Sequence, residues 1–230
     1  MQNSPGPDSA GRVAPGTDSQ GPGSQDPGSQ DPDSQGPVAA LVLAAGGGRR
    51  LGGRPKALIR YGGRPLVEHA VAVARAGGCP EVTVVLGAAA GRVRATAHLP
   101  GCRLAANPDW ASGMGSSLRA GLAALPPGVS AALVLLVDTP GVTPAAVARL
   151  LAAHRAGAEL AAAAYAGRRG HPVLIGARHF AEASAGALGD SGARALLAAH
   201  AAETVLVECA DVAVPDDLDT PADLARWGAV

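Results

Sequence analysis

The chain has 230 residues, 47% hydrophobic and 17% charged, with 19 basic and 19 acidic residues and a net charge of +0. That is core material for one good-sized α/β domain, and it excludes a nucleic-acid binder, whose phosphate contacts need a basic excess. Aromatics at 2% exclude a base-stacking platform for single strands, and no apolar run reaches the roughly 18 residues of a membrane span. Three scattered cysteines, Cys79, Cys102 and Cys209, make neither a disulfide framework nor a zinc ribbon and fit a reducing, cytoplasmic setting.

Residues 1–37 carry seven Gly, seven Pro, five Asp and one Arg, with few apolar side chains. Such a segment cannot bury enough surface to offset its ordering entropy, so a disordered tail is expected ahead of a domain at 38–230. It has neither the basic start nor the apolar stretch of a signal peptide. Without the tail, 18 basic residues face 14 acidic ones, a mildly cationic domain suited to an anionic small molecule.

The domain opens on a continuous apolar run, residues 38–45, and similar runs recur at 81–87 and 131–138. Apolar on both faces is the pattern of parallel strands buried between helices. Helical patterns fill the intervals. One covers 65–76, from Pro65 to Gly77-Gly78; others cover 115–124 and 143–156, the last with Thr143 as N-cap and Pro144 at its first position. Strand, helix, strand at this spacing predicts a doubly wound, mostly parallel α/β sheet with ligands at the carboxyl ends of its strands.

Three strand ends carry the chemistry. After the first comes LAAGGGRRLGGRPKAL, residues 43–58. Gly46, Gly47 and Gly48 let backbone N–H groups approach an anion without Cβ obstruction, while Arg49, Arg50, Arg54 and Lys56 add positive charge. The dinucleotide fingerprint fails because its third glycine position is Leu51, and the P-loop fails because neither Gly52 nor Gly53 precedes Lys and Ser or Thr. Lys56 is the only lysine beside 18 arginines, in a composition that otherwise drives Lys towards Arg, which points to a need for a compact ammonium there. The third run ends in Asp138-Thr139-Pro140, where Asp138 reads either as a divalent-cation ligand beside phosphates or as a turn residue. Between them lies NPDWASGMGSSLRAGL, residues 107–122, whose Ser116 and Ser117 either cap a helix or recognise a polar ligand edge.

The loop at 43–58 resembles the nucleotide-binding signature of the MobA-like nucleotidyltransferases, L-x-A-G-x-x-x-R-[ML]-G-x-x-K, at Leu43, Ala45, Gly46, Arg50, Leu51, Gly52 and Lys56, with one extra residue before the lysine. NPDWASGMGSSLRAG, RRGHPVLIG (168–176), GDSGARALL (189–197) and DLDTPADL (217–224) are similar to the MocA-type branch, the molybdenum cofactor cytidylyltransferases. The resemblance covers nearly all of 38–230 and implies a Rossmann-like, GT-A-like nucleotidyltransferase fold in a single domain. One departure is Thr139, where the branch commonly has Gln or Met; this bears on the acceptor rather than on the reaction.

The resemblance implies a Mg²⁺-dependent transfer of CMP from CTP to molybdopterin, with release of pyrophosphate. The nucleotide would meet Leu43, Ala44, Ala45, Gly46, Gly47, Gly48, Arg50, Lys56, Ser116 and Ser117. Arg50, Lys56 and Asp138 would be catalytic, and Asp138 with Asp219 would hold the metal. Arg168, Arg169, Gly170 and His171 would face the acceptor, together with Asp190 at the start of a helix, where it is otherwise an N-cap; His171 is otherwise a strand-entry residue. A molybdoenzyme or its maturation chaperone is an implied partner. The alternatives are transfer of GMP or another nucleotide to a phospho-acid or sugar phosphate, or a non-catalytic nucleotide-binding module. The remaining histidines, His69, His98, His154, His179 and His200, have no metal-ligand spacing in the sequence and read as core or surface residues.

Overall fold

The structure, a computed structural model, describes residues 36–230. The expected tail lies outside the described residues, except that Gly36 and Pro37 belong to the fold: the Ser130 amide donates to the Pro37 carbonyl at 3.0 Å. In chain order the elements are β1 (Val38–Ala44), β2 (Arg60–Tyr61), β3 (Arg64–Pro65), α1 (Leu66–Ala76), β4 (Val82–Leu86), α2 (Ala90–Thr96), β5 (Arg103–Ala106) and α3 (Met114–Ala123). They continue with β6 (Ala131–Leu136), α4 (Pro144–Arg155), β7 (Leu160–Tyr165), β8 (Arg168–Gly176), α5 (Phe180–Gly186), α6 (Arg194–Ala199), β9 (Val205–Glu208) and α7 (Pro221–Trp227).

Seven strands form one sheet in the order β5-β4-β1-β6-β8-β7-β9. Neighbours pair in parallel except where β8 lies between β6 and β7, antiparallel to both. The expected α/β, mostly parallel sheet is therefore present. Because β8 runs backwards, its first residues, Arg168 and Arg169, lie beside the carboxyl end of β7, and the RRGHP segment reaches the ligand end of the sheet.

Alternation along β1 divides the core. Ala40, Val42 and Ala44 join α1 and α4 residues on one face, while Leu41, Leu43 and Ala45 join Leu118 and Leu122 of α3 and Leu196 and Leu197 of α6 on the other. Both faces of β1 are covered, which is why its sequence shows no polar alternation. Thr143 caps α4 with Pro144 in the first turn, as its sequence predicts. Among the described residues no helix is long and apolar enough to cross a membrane.

The segment after α5 packs unusually close to α3. A Cβ on Gly115 would lie 2.4 Å from the Ala187 carbonyl oxygen, and one on Gly113, already at φ +111°, would lie 2.4 Å from Gly189. Gly-Met-Gly is thus a requirement of contact as much as of turn geometry. Gly115→Ala should push α3 off this segment and cost about 1–3 kcal/mol in urea unfolding, the range for overpacking; unchanged stability would contradict the close approach.

Candidate active site

The glycine loop leaves β1 at the carboxyl end of the sheet. Gly48 sits in the left-handed region, φ 62°, and a Cβ there would strike the Arg54 carbonyl, so the turn admits no other residue without rearrangement. A Cβ on Gly46 would meet nothing within 4 Å, which leaves its backbone open to a ligand. After Pro55 the chain makes a short 3₁₀ turn, Lys56–Leu58, pinned by the buried Ala57 and Ile59. Lys56 is thereby fixed at the rim of a cavity of about 210 Å³, lined among others by Gly46, Gly47, Trp110, Ser117 and Asp138.

Lys56 Nζ lies 2.5 Å from Asp138 Oδ2 and also donates to Asp219 Oδ1. Arg50 Nη1 bonds the other oxygen of Asp219 at 2.8 Å. Two carboxylates remote in sequence therefore converge on one cationic group. Their positions are set locally. Asp138 follows β6, and its carbonyl accepts the Leu218 amide at 2.8 Å; Leu218 is fully buried and anchors the DLDTP segment. Thr220 and Asp223 then form a capping box on α7, and Asp223 Oδ2 also accepts the Asp219 amide at 3.2 Å. The box holds the backbone that presents Asp219.

The charges respond accordingly. Burial alone lowers the Lys56 pKa, but Asp138 and then Asp219 outweigh it, and the ammonium is held above the usual lysine value. The hydrogen bond from Lys56, with further help from Arg50, holds Asp219 below the usual carboxylate range. Asp217, losing solvent and facing Asp138 and Asp219, is pushed up to about 6.

The donor set fits a hard divalent cation. Asp138 and Asp219 aim oxygens at a common point, and Mg²⁺-type ions bind through one or two carboxylates plus substrate phosphates rather than in all-protein cages.

A second cavity, also about 210 Å³, adjoins the first: Met114 and Asp190 line both. Arg169, Gly170 and His171 contribute to it, with Arg194 opposite. His171 is held in the neutral form, chiefly by burial, and its Nδ1 is buried without a hydrogen-bond partner.

The structure corrects several residue-level expectations. Arg49, not Arg50, lines the first cavity; Arg50 points outward to Asp219. Ala44 faces the opposite core layer from Leu43 and Ala45, as strand alternation requires. Ser116 is spent internally, donating to the Asp109 and Gly113 carbonyls, while Ser117 reaches the cavity; Asn107 Nδ2 donates to both hydroxyls, at 2.8 and 3.0 Å. Arg168 is exposed and lies outside the second cavity. Asp190 does not open its own helix, since α6 begins only at Arg194; instead its Oδ1 accepts the Met114 amide at the start of α3, at 3.3 Å. Thr139 is buried, with its hydroxyl donating to the Leu136 carbonyl, and lines neither cavity. Asn107 and Trp110 are support and cavity residues that the sequence does not single out, and Arg49, named there only for its positive charge, is the loop arginine that lines the cavity.

The MobA-like NTP transferase domain matches residues 40–205. The chain belongs to that family of nucleotidyltransferases. Nicotine blue oxidoreductase of Paenarthrobacter nicotinovorans is 43% identical over 196 residues, covering 82% of this chain and 95% of that protein. Among solved structures, the homologue of Mycobacterium tuberculosis Rv0371c from Mycobacterium sp. strain JC1 superposes with a TM-score of 0.74 at 34% identity, covering 82% of this chain and 93% of that one. Rv0371c of M. tuberculosis H37Rv, solved in complex with manganese, gives 0.71 at 30% identity over 84% of this chain and 98% of that one.

The lowered Asp219 pKa sets a pH dependence. Its pairing stabilises the fold above the ordinary Asp value, about pH 4, and that contribution is lost as pH falls through the lower folded value. Urea unfolding from pH 7 into acid should therefore show Asp219→Asn losing less stability than the unsubstituted chain. Identical acid limbs would contradict the pairing.

Proposed function

We propose that this chain is a divalent-cation-dependent nucleotidyltransferase that moves CMP from CTP to a phosphorylated acceptor, molybdopterin, releasing pyrophosphate. The observation that carries the reading is the convergence of Lys56, Asp138 and Asp219 at the mouth of the glycine loop, next to a second cavity bearing Arg169 and Arg194. One cavity would take the triphosphate and the other the acceptor phosphate, with the reacting atoms meeting between them near Met114 and Asp190.

In such a transfer a terminal phosphate oxygen of the acceptor forms a bond to the α-phosphorus of the nucleotide, and the bond from that phosphorus to pyrophosphate breaks in line. A phosphate nucleophile is already ionised at neutral pH, so charge stabilisation and alignment matter more than a general base. The backbone of Gly46 and Gly47, with Arg49, is suited to the β- and γ-phosphates, and Lys56 to the α-phosphate, where charge builds. Asp138 and Asp219 would hold the Mg²⁺, which when bound neutralises phosphate charge and aligns the leaving group. Arg169 and Arg194 would bind the acceptor phosphate, with the free Nδ1 of neutral His171 available to accept a hydrogen bond. Ser117, braced by Asn107, would face the nucleoside. Residues 38–230 form the catalytic domain on this reading.

A second reading rests on one observation, the 43% identity to a protein named an oxidoreductase along nearly its whole length. The two cavities would then hold a reducing cofactor and a reducible acceptor in place of a triphosphate and a phosphorylated acceptor. Assaying pyrophosphate release and cofactor oxidation in one preparation separates the two.

Lys56→Ala should keep its fold and lose about 10²- to 10³-fold in turnover, about 3 kcal/mol of barrier, in a pyrophosphate-release assay with CTP, molybdopterin and Mg²⁺. Chelation should abolish turnover, and GTP should replace CTP poorly. Near-normal turnover of the variant, or of the chelated protein, would overturn the assignment.

A further inference from the structure

Away from both cavities, at the amino-terminal edge of the parallel strands, two histidines distant in sequence meet. β8 ends at Gly176, opposite Ala131 at the start of β6, and the chain turns there through His179 into α5. α6 returns from the second cavity and ends at His200. The two imidazole centroids are 4.9 Å apart, and Glu182 on α5 lies against both rings. His200 Nε2 is 2.9 and 3.0 Å from the two Glu182 oxygens, and His179 Nδ1 is 3.8 Å from Oε2. One ligand atom from each of the three side chains falls within 4.8 Å of the others.

Those separations suit a metal. Tetrahedral zinc bound to imidazole nitrogen and carboxylate oxygen at 2.0–2.2 Å needs its ligand atoms about 3.3 Å apart. A second observation points the same way. His200 Nδ1 is 3.3 Å from Glu203 Oε1, so its far nitrogen has the carboxylate partner that orients a metal-binding imidazole and directs the other nitrogen at the ion. His179 is nearly buried, and α5 and α6 fix all three groups on packed elements.

We propose that His179 Nδ1, Glu182 and His200 Nε2 form a binding site for Zn²⁺ or a similar borderline transition-metal cation, separate from the Asp138–Asp219 pair, with water as fourth ligand. Binding releases the proton shared between His200 Nε2 and Glu182 and moves the His179 proton from Nδ1 to Nε2. The Arg178 Nε–H that now faces His179 Nε2 at 3.1 Å must then turn away, and Glu159 Oε2, 3.5 Å from the same Nε, receives it.

The site would also brace the active end of the molecule. α5 runs from the cluster to Ala187, and α6 begins just after the Gly189–Ala193 turn that carries Asp190 to both cavities. A cation joining the base of α5 to the end of α6 clips together the two legs that support this turn.

The test is a Co²⁺ titration of the full, untagged chain in excess Mg²⁺. The Mg²⁺ occupies oxygen-only sites while nitrogen ligands select the transition metal. The expected result is a saturable visible d–d band at one equivalent, displaced by Zn²⁺ and lost in His200→Ala and in Glu182→Gln. Zn²⁺ should also slow amide hydrogen exchange over 187–193 in the unsubstituted chain and raise its thermal midpoint. Glu182→Gln, isosteric and on the surface, decides the matter if His200→Ala does not fold. No saturable band, or a band that survives Glu182→Gln, would overturn the site; a site that binds without slowing exchange at 187–193 would overturn its bracing role.

Discussion

Everything at the candidate site depends on one ammonium held between two carboxylates. Asp138 and Asp219 come from segments far apart in the chain, and each brings a carboxylate oxygen to the Lys56 ammonium in a partly buried place. An opposite charge at this range favours the charged form of its partner, and more strongly where burial reduces screening by solvent. Without the lysine the two acids would repel, and the DLDTP segment would lose its strongest polar tie to the sheet. On the proposed function the same arrangement would suit exchange: with a divalent cation held at these oxygens, the Lys56 ammonium would be free for a phosphate.

The rest of the fold brings these groups to that point. β1 delivers the glycine loop and β6 delivers Asp138, side by side in parallel at the carboxyl edge. Leu218 and the α7 capping box deliver Asp219. Reversed β8 carries Arg169 and His171 to the same edge from the other side, and the close glycine contacts between α3 and the 187–190 segment place Asp190 between the two cavities. Each support uses a different device: strand register, a cap, an antiparallel insertion and backbone proximity.

Much of this was legible in the sequence because it is local. Buried parallel strands announce themselves as unbroken apolar runs, Thr143-Pro144 marks its helix start, and a lone Lys56 among arginines in a glycine loop stands out by composition. The missed assignments involve directions and distant partners. Whether Arg49 or Arg50 enters the cavity depends on the twist of a single 3₁₀ turn after Gly48. Asp190 reads as the cap of the helix that follows it, yet it caps one far upstream, because no local pattern records the approach of Ala187 to Gly115. Ala44 was recoverable, since period-two alternation already places it opposite Leu43 and Ala45. The meeting of His179 with His200 could not be read from spacing, because it depends on how α5 and α6 pack.

The central claim is that one triphosphate, one divalent cation and Lys56 share a single site. A crystal structure of the full chain with Mn²⁺ and a non-hydrolysable CTP analogue measures this directly, using the anomalous signal of the metal. The account predicts manganese bound by Asp138 and Asp219, phosphates on the backbone of Gly46 and Gly47, and Lys56 Nζ moved from the carboxylates onto a phosphate oxygen. Nucleotide bound away from the glycine loop, or Lys56 still paired with both acids while the nucleotide is in place, would contradict it.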